Sequence, residues 1–260
     1  MYNSNCLIFL YVFNYHSELS LKGPHGRNLL HEAAYDGNVA IIETMLSRGF
    51  DINSKDSAGN TPLTIATARG KMEAVNYLLD KGADASLKGE NGRNVLHCAS
   101  YGGNVAIIET MLSRGFDINS RDSDGCTPLM IAAMFGKMEA VNYLLDKGAD
   151  ASLKGKNGRN LLHKAASDGN VAIIETMLSR CFDINSKDSD GNTPLTIATA
   201  RGKMEAAKYL LDKGADASLK GKNGRNFLHK LHLMVMSPSS KQCCHVVLIS
   251  IQKIVMVILL

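Results

Sequence analysis

The chain has 260 residues, no tryptophan and a net charge of only +4, with charged residues of both signs interspersed along its length. With so small a net charge, the protein does not belong to the strongly basic class that binds nucleic acid or anionic membranes through charge alone. Six cysteines are present, but no two outside the adjacent pair Cys243 and Cys244 are close in sequence, none has C-x-x-C spacing, and they do not recur at equivalent positions. This pattern argues against a disulfide framework or a zinc site and predicts a reducing compartment, cytoplasmic or nuclear.

Residues 1–21 form a non-repeat N-terminal segment that contains the apolar run CLIFLYVF at residues 6–13. A secretory signal requires a basic residue before such a run and a small-residue cleavage site after it. No Lys or Arg precedes Lys22, so we expect no signal peptide and no secretion. The string SELSLKG at residues 17–23 is similar to the ADASLKG found further along the chain, which indicates the remnant of a preceding repeat.

From residue 22 onward the chain repeats itself, and this is its dominant feature. The string NVAIIETMLSR begins at Asn38, Asn104 and Asn170, a period of 66 residues. Each 66-residue block consists of two related 33-residue halves with the shared skeleton G-x-[TN]-x-L-x-x-A-x-x-x-G. The pattern predicts six repeats, at residues 22–54, 55–87, 88–120, 121–153, 154–186 and 187–219.

Each repeat is predicted to contain two short helices. In one type of repeat, Thr61 has the position of an N-cap and Pro62 that of the first helical residue. Asn28 takes the capping position in the other type. A second helix is predicted to begin near Met72, and Gly82 supplies the left-handed residue after its end. Neither helix is long enough to be stable alone, so the helices must stack as an all-α solenoid.

The repeat resembles that of the ankyrin family. Residues 122–136 match the family pattern D-x-x-G-x-T-P-L-x-x-A-A-x-x-G, although Met130 stands where the family has histidine. The other type of repeat keeps that histidine, as in His31, but has Asn-Leu or Asn-Val in place of Thr-Pro. The resemblance covers about residues 22–230. It implies paired antiparallel helices, projecting hairpin tips and a concave groove that binds other proteins.

Residues 220–230 begin a seventh repeat, but residues 231–260 do not continue it. One DNA sequence can encode both the expected continuation and the observed tail. Read in one frame it gives AASDGNVAIIETMLSRGFDINSKDSDGNTPL, which differs from residues 165–195 only at Cys181. Read with one base lost in the Lys230 codon, it gives every residue from Leu231 to Leu260 and then a stop. We therefore interpret residues 231–260 as a non-native tail, a repeat translated in a shifted frame.

This interpretation makes a prediction about the gene. Sequencing of genomic DNA and transcript across the Lys230 codon is expected to show repeat-coding text in the second frame for the whole tail. Synonymous codons that break this hidden frame at several positions would contradict the interpretation. The same sequencing shows whether the Lys230 codon has lost a base. If the base is present in both the genomic DNA and the transcript, the repeats continue beyond Lys230.

The candidate chemical groups recur with the repeat, which indicates structural roles. His31, His97, His163 and His229 form a row, but neighbouring helices lie about 8–10 Å apart. Since metal ligands lie about 2 Å from their ion, histidines two repeats apart cannot share one. No Ser/His/Asp or Cys/His constellation stands apart from the repeat, and phosphate-binding glycine motifs are absent. We therefore expect no enzyme activity, no cofactor and no metal.

The three 66-residue blocks differ from one another mainly in the hairpins and the first helices. In the ankyrin family these positions line the groove. Arginines 27, 93, 159 and 225 precede the first helix of alternate repeats, where they either meet an acidic partner or form a solvated edge. The middle block replaces polar or small residues with apolar ones near Tyr101, which predicts an apolar anchor for a partner. The predicted partner-binding residues are Tyr35, Arg69, Arg93, Tyr101, Cys126, Met130, Met134, Phe135, Arg159 and Arg201.

The sequence thus predicts a non-catalytic scaffold or adaptor that binds another protein in the groove of an ankyrin array. We expect no small-molecule substrate and no membrane partner. Nucleic acid is not expected, because aromatic residues are not interleaved with the arginines, and a steep salt dependence would be needed to support it. Two alternatives remain open: the targeting module of a larger ankyrin-containing enzyme or channel, and a decaying gene product without selected function.

Overall fold

The computed structural model describes residues 22–89, 91–224 and 226–229. No β-strand occurs in these ranges, and twelve α-helices lie between residues 29 and 212, which confirms the predicted all-α fold. The helices belong to two compact units, residues 1–116 and 117–260. The predicted N-terminal segment 1–21 and the tail 231–260 lie outside the described residues.

The first unit contains three helix pairs. The first helices of successive pairs pack side by side, and the second helices of the first two pairs do the same. Each pair falls within one predicted 33-residue repeat. The pairs are α1 (Leu29–Asp36) with α2 (Val39–Ser47), α3 (Pro62–Ala68) with α4 (Met72–Asp80), and α5 (Val95–Gly102) with α6 (Val105–Ser113).

The second unit repeats this arrangement with three further pairs. Its first helices form a row in chain order, and the second helices of the last two pairs contact each other. The pairs are α7 (Pro128–Met134) with α8 (Met138–Asp146), α9 (Leu161–Asp168) with α10 (Val171–Ser179), and α11 (Pro194–Ala200) with α12 (Met204–Asp212).

The predicted helix caps are present in both types of repeat. The Asn28 side chain accepts a hydrogen bond from the His31 N–H at 3.2 Å. In the next repeat, the Thr61 hydroxyl accepts from the Thr64 N–H at 3.3 Å, while Thr64 Oγ1 accepts from the Thr61 N–H at 2.8 Å. These short-range bonds satisfy the first free N–H groups of each helix and fix where it begins.

The second helices are held by a narrow apolar stripe. In α4, Ala74, Val75 and Leu78 are fully buried, whereas Glu73 on the opposite face is exposed. Burying a valine or leucine side chain stabilises the fold by roughly 1.5–3 kcal/mol. A nine-residue helix such as α4 gains too little from its own hydrogen bonds, so this packing against neighbouring helices is what keeps it folded.

Cys181 interrupts the regular ends of the second helices. The corresponding residues Gly49 and Gly115 have φ values of 87° and 83°, and Cys181 is held at φ 62°. This left-handed backbone costs a residue with a Cβ about 1–2 kcal/mol. A Cβ built on Gly49 or Gly115 would have no atom within 4 Å, so the cost at this position is one of backbone conformation and not of crowding.

Replacing Cys181 with glycine is expected to raise the free energy of unfolding by about 1 kcal/mol, after the extra freedom of glycine in the unfolded chain is counted. Denaturant unfolding followed by circular dichroism measures the change. The matched variant Gly115→Cys should be less stable by a similar amount. A C181G protein no more stable than the parent would contradict the assigned strain.

Candidate functional site

The predicted partner-binding residues lie on the first helices, on the loops before them and at the positions directly after them, and they are divided between the two units. Tyr35, Arg69, Arg93 and Tyr101 belong to the first unit. The other six belong to the second unit. Of the ten, the structure leaves Phe135 and Tyr101 as exposed large apolar side chains, each with 43% of its surface accessible.

The structure places two predicted contact residues in the core. Cys126 is 4% exposed and Met130 is 1% exposed. Met130 occupies the third helical position of α7, where Thr64 and Thr196 are also buried in their own repeats. At this position the side chain is shielded from solvent. Cys126 and Met130 therefore cannot contact a partner, and the candidate surface excludes both.

The end of α7 does present apolar surface to solvent. Phe135 follows the last helical residue, Met134, which is half-buried. In the neighbouring blocks the position of Phe135 is taken by Arg69 and Arg201. Replacement of a cation by an exposed ring gives the second unit a local apolar patch, and we use the term Phe135 patch for Met134 and Phe135 together.

Two of the predicted arginines have internal acidic partners. Arg27 Nε donates to Asp56 Oδ2 at 3.4 Å, and Arg159 Nε donates to Asp188 Oδ2 at 3.2 Å. The aspartate side chains are only 2% and 1% exposed, so these are largely buried ion pairs between successive repeats. The alternative of a purely solvated arginine edge is therefore wrong for Arg27 and Arg159. Arg225 lies outside the described residues.

Each of these aspartates closes a turn and holds an arginine at the same time. Asp188 Oδ1 accepts from the backbone N–H groups of Asp190 at 2.9 Å and Asn192 at 2.8 Å. Burial raises the pKa of the Asp188 carboxyl, but the hydrogen bonds from Asn192, Arg159 and Asp190 outweigh it and leave the pKa below its ordinary value. Asp56 has the same arrangement and the same direction of pKa shift. Both carboxylates are therefore ionised at neutral pH.

The row of histidines serves the helix starts. His31 is 1% exposed, with Nδ1 2.6 Å from the Asn28 side-chain oxygen and Nε2 3.1 Å from the Ser54 carbonyl oxygen. His163 is fully buried and lies 3.2 Å from the Asn192 carbonyl oxygen. These contacts match the predicted structural role. Within the described ranges, no group of three or more His, Cys, Asp or Glu side chains is arranged to hold a metal ion.

A cation–aromatic pair lies at the end of α1. The Arg69 guanidinium carbon lies 3.7 Å from the centre of the Tyr35 ring, and that of Arg27 lies 5.7 Å from it. Arg69 Nη2 also donates to the Tyr35 hydroxyl. Guanidinium groups at such distances are attracted to the face of an aromatic ring. Tyr35 and Arg69, both predicted contact residues, thus lie together and form a ring contact and a hydrogen bond with each other.

The second unit has a shallow pocket at the corresponding place, which the sequence reasoning missed. Its volume is about 70 Å³. Two of its lining residues are the predicted Arg159 and Arg201, while the others were not predicted. The remaining lining residues are Asn192, Thr196, Ile197 and Ala200. The only sequence signal was Ser167, which stands where the other blocks have Tyr35 and Tyr101.

Helix pairs that are capped, packed in rows and repeated every 33 residues define a helical repeat protein. The family described as "Ankyrin repeats (3 copies)" matches residues 1–89, 68–155 and 148–221. The chain belongs to the ankyrin repeat family, whose repeats generally mediate protein–protein interaction.

Comparison with solved structures agrees with this assignment. The crystal structure of the ankyrin repeat domain of Bcl-3, described as a unique member of the IkappaB protein family, is similar with a TM-score of 0.61. The two sequences are 25% identical, and the match covers 79% of this chain and 94% of that chain. No curated protein matches in sequence. None of the helices in the described ranges has the length and apolar character needed to cross a membrane.

Proposed function

We propose that the protein is a non-catalytic binding module whose first helices and adjoining loops bind another protein. The observation that carries the proposal is the Phe135 patch. In the described residues, the only large apolar side chains with high exposure are Tyr101, Phe135 and Leu228. The other large apolar side chains of the described ranges are buried or half-buried, so a ring left 43% exposed at a position that elsewhere carries arginine is a candidate anchor.

The charges favour a protein over a nucleic acid as the partner. Arg27 and Arg159 are bound to buried aspartates. An arginine held in this way contributes less to the binding of phosphates than a free one, since a carboxylate already neutralises it. Two of the predicted contact arginines, Arg69 and Arg201, are exposed, and they stand four repeats apart in the chain and belong to different units.

Cytoplasm or nucleus is the compartment that fits the cysteines. Cys98, Cys126 and Cys181 form no disulfide bond. Burial raises the pKa of the Cys98 thiol to about 12, so this cysteine is protonated and unreactive at neutral pH. A structural thiol of this kind, in a fold that uses no disulfide among its described cysteines, is typical of a reducing compartment.

The double replacement of Met134 and Phe135 by alanine tests the proposal. Because exposed aromatic anchors carry a disproportionate share of binding energy, we expect affinity for a captured partner to fall about 30-fold. Partners are captured from cell extract with the full chain, identified by mass spectrometry, and titrated against parent and variant proteins. Tyr143→Ala is the matched control, because Tyr143 is a half-buried aromatic on the second helix α8 of the same repeat.

The Tyr143→Ala protein should bind as the parent does. Affinities of the M134A/F135A protein within about twofold of the parent, with circular dichroism unchanged, would show that the patch is not the anchor. An unrelated ankyrin array serves as the control for capture. If the parent chain retains no protein beyond those that the control array also retains, the proposed binding function is wrong.

A further inference from the structure

The pocket of the second unit has a counterpart in the first unit, 132 residues earlier in the chain. Every residue that lines it is identical at the equivalent position. Arg159 and Arg201 correspond to Arg27 and Arg69. The remaining four, Asn192, Thr196, Ile197 and Ala200, correspond to Asn60, Thr64, Ile65 and Ala68. Two copies of one lining therefore exist in the molecule, and they can be compared directly.

Near the pocket, the two copies differ in two side chains of the first helix: Lys164 replaces Glu32, which lies 3.9 Å from Arg27, and one turn later a small residue replaces an aromatic one. Tyr35 belongs to the first copy, and Ser167 stands at the equivalent position of the second. In the first unit the tyrosine ring lies 3.7 Å from the Arg69 guanidinium carbon and 5.7 Å from that of Arg27. The phenol ring of Tyr35 thus occupies this place in the first unit, and the same place is open in the second unit.

The accessibility of the lining supports this comparison. Ala68 is half-buried in the first unit, while Ala200 is exposed in the second. The open space of about 70 Å³ exceeds by several times the 10–15 Å³ that one water molecule needs on the same measure. This is room for a flat side chain that lies partly on the surface.

The charges at the second copy also differ from those at the first. Arg159 remains bound to Asp188, as Arg27 is to Asp56. Arg69 stacks on Tyr35, whereas Arg201 makes no hydrogen bond, ion pair or ring contact with any residue in the described part of the chain. Arg201 is exposed and lines the pocket, so its guanidinium face and its N–H groups are available to a ligand.

We propose that this pocket binds a tyrosine side chain of the partner protein. The partner's ring would take the place that Tyr35 takes in the first unit, stacked on Arg201, with its hydroxyl accepting from that guanidinium. This proposal rests on the proposed function and names one anchor of the partner. An aliphatic side chain could fill the space, but it would leave the guanidinium without a ring face or an acceptor.

A small probe tests the pocket without any knowledge of the partner. N-acetyl-tyrosinamide is titrated into the full chain while the Arg201 Nε–Hε and Ile197 methyl resonances are followed by NMR. We expect saturable shifts of both resonances with a Kd of about 1 mM, as befits a ring-sized ligand on a shallow site. Arg201→Ala should weaken binding about fivefold, because it removes the cation under the ring.

Two reciprocal variants use the chain's own comparison. Ser167→Tyr copies the first unit and should fill the pocket, which weakens binding of the probe at least about tenfold. Tyr35→Ser copies the second unit and should open a new site, with saturable shifts at Arg69 and Ile65. Circular dichroism checks that each variant folds. If the Ser167→Tyr protein does not fold, the Tyr35→Ser protein still tests the proposal.

Several results would overturn the proposal. One is the absence of saturable shifts at Arg201 and Ile197. Others are equal shifts with N-acetyl-leucinamide, or full binding by the Ser167→Tyr protein. Binding of phosphotyrosine amide but not of N-acetyl-tyrosinamide would assign an anion site instead. The titration measures binding to the pocket directly. If the probe does not bind, the proposed binding of a partner at the Phe135 patch is unaffected. If no partner is found but the probe binds, the proposed tyrosine pocket is unaffected.

Discussion

Replacing Asp188 with alanine is expected to lower the free energy of unfolding by about 3 kcal/mol. The carboxylate accepts from two backbone N–H groups at 2.8 and 2.9 Å and from Arg159 at 3.2 Å. Its side chain is 1% exposed, so alanine leaves the turn's N–H groups with no replacement acceptor and Arg159 with no charge partner. Losses of this kind cost about 1–3 kcal/mol for each orphaned group and more where a charge is involved.

Urea unfolding followed by circular dichroism measures this change. Asp190→Ala is the matched control, because Asp190 is an exposed acid in the same turn whose backbone carbonyl, not its side chain, accepts a hydrogen bond. That variant should stay within about 0.5 kcal/mol of the parent. The double variant Arg159→Ala, Asp188→Ala should cost less than the sum of the single changes, since it removes both partners. A loss below about 1 kcal/mol for Asp188→Ala would contradict the assigned role.

Local interactions explain why the helices could be predicted. The caps at Asn28 and Thr61 act on residues three positions away, so a short pattern specifies them. The same holds for the left-handed residue Gly82 after α4 and for the strained Cys181, whose equivalents are glycine. Because each type of cap occurs three times in the six repeats, each weak indication is reinforced by the others.

The candidate site was less predictable because its decisive contacts are not local. Arg159 meets an aspartate 29 residues away, so the sequence left open whether it faced a partner or solvent. Met130 was expected at the surface, but its position at the start of α7 is buried. The second unit has Ser167 where the first has the ring of Tyr35, and the meaning of a missing ring depends on which residues surround it.

The stability of the fold is expected to fall as the pH is lowered below about 6.5. Burial is the largest cause that lowers the pKa of His31 and of His163, and the charges of Asp56 and Asp188 only partly oppose it. The folded protein therefore binds these two protons less readily than the unfolded chain. In the window between the ordinary value of 6.5 and the lowered folded pKa, the unfolded state holds more protons, so stability is lost as pH falls.

Linkage limits the size of this loss to about 1.4 kcal/mol per pH unit for each histidine. A second loss follows at lower pH, because Asp56 and Asp188 have pKa values below 3.8 in the folded protein and their stabilisation disappears as they are protonated. Asp168 acts in the opposite direction, since burial raises the pKa of its carboxyl above 3.8.

The chain itself supplies the control for the histidine window. Thr193 and Thr196 cap α11 without a titratable group, in the positions that Asn160 and His163 occupy at α9. The variant Asn160→Thr, His163→Thr copies that cap and should reduce the slope of unfolding free energy below pH 6.5, because it removes one buried histidine. Urea titrations at half-unit intervals measure both slopes. If the parent protein is equally stable at pH 7 and pH 5, the buried histidines do not resist protonation in the folded state.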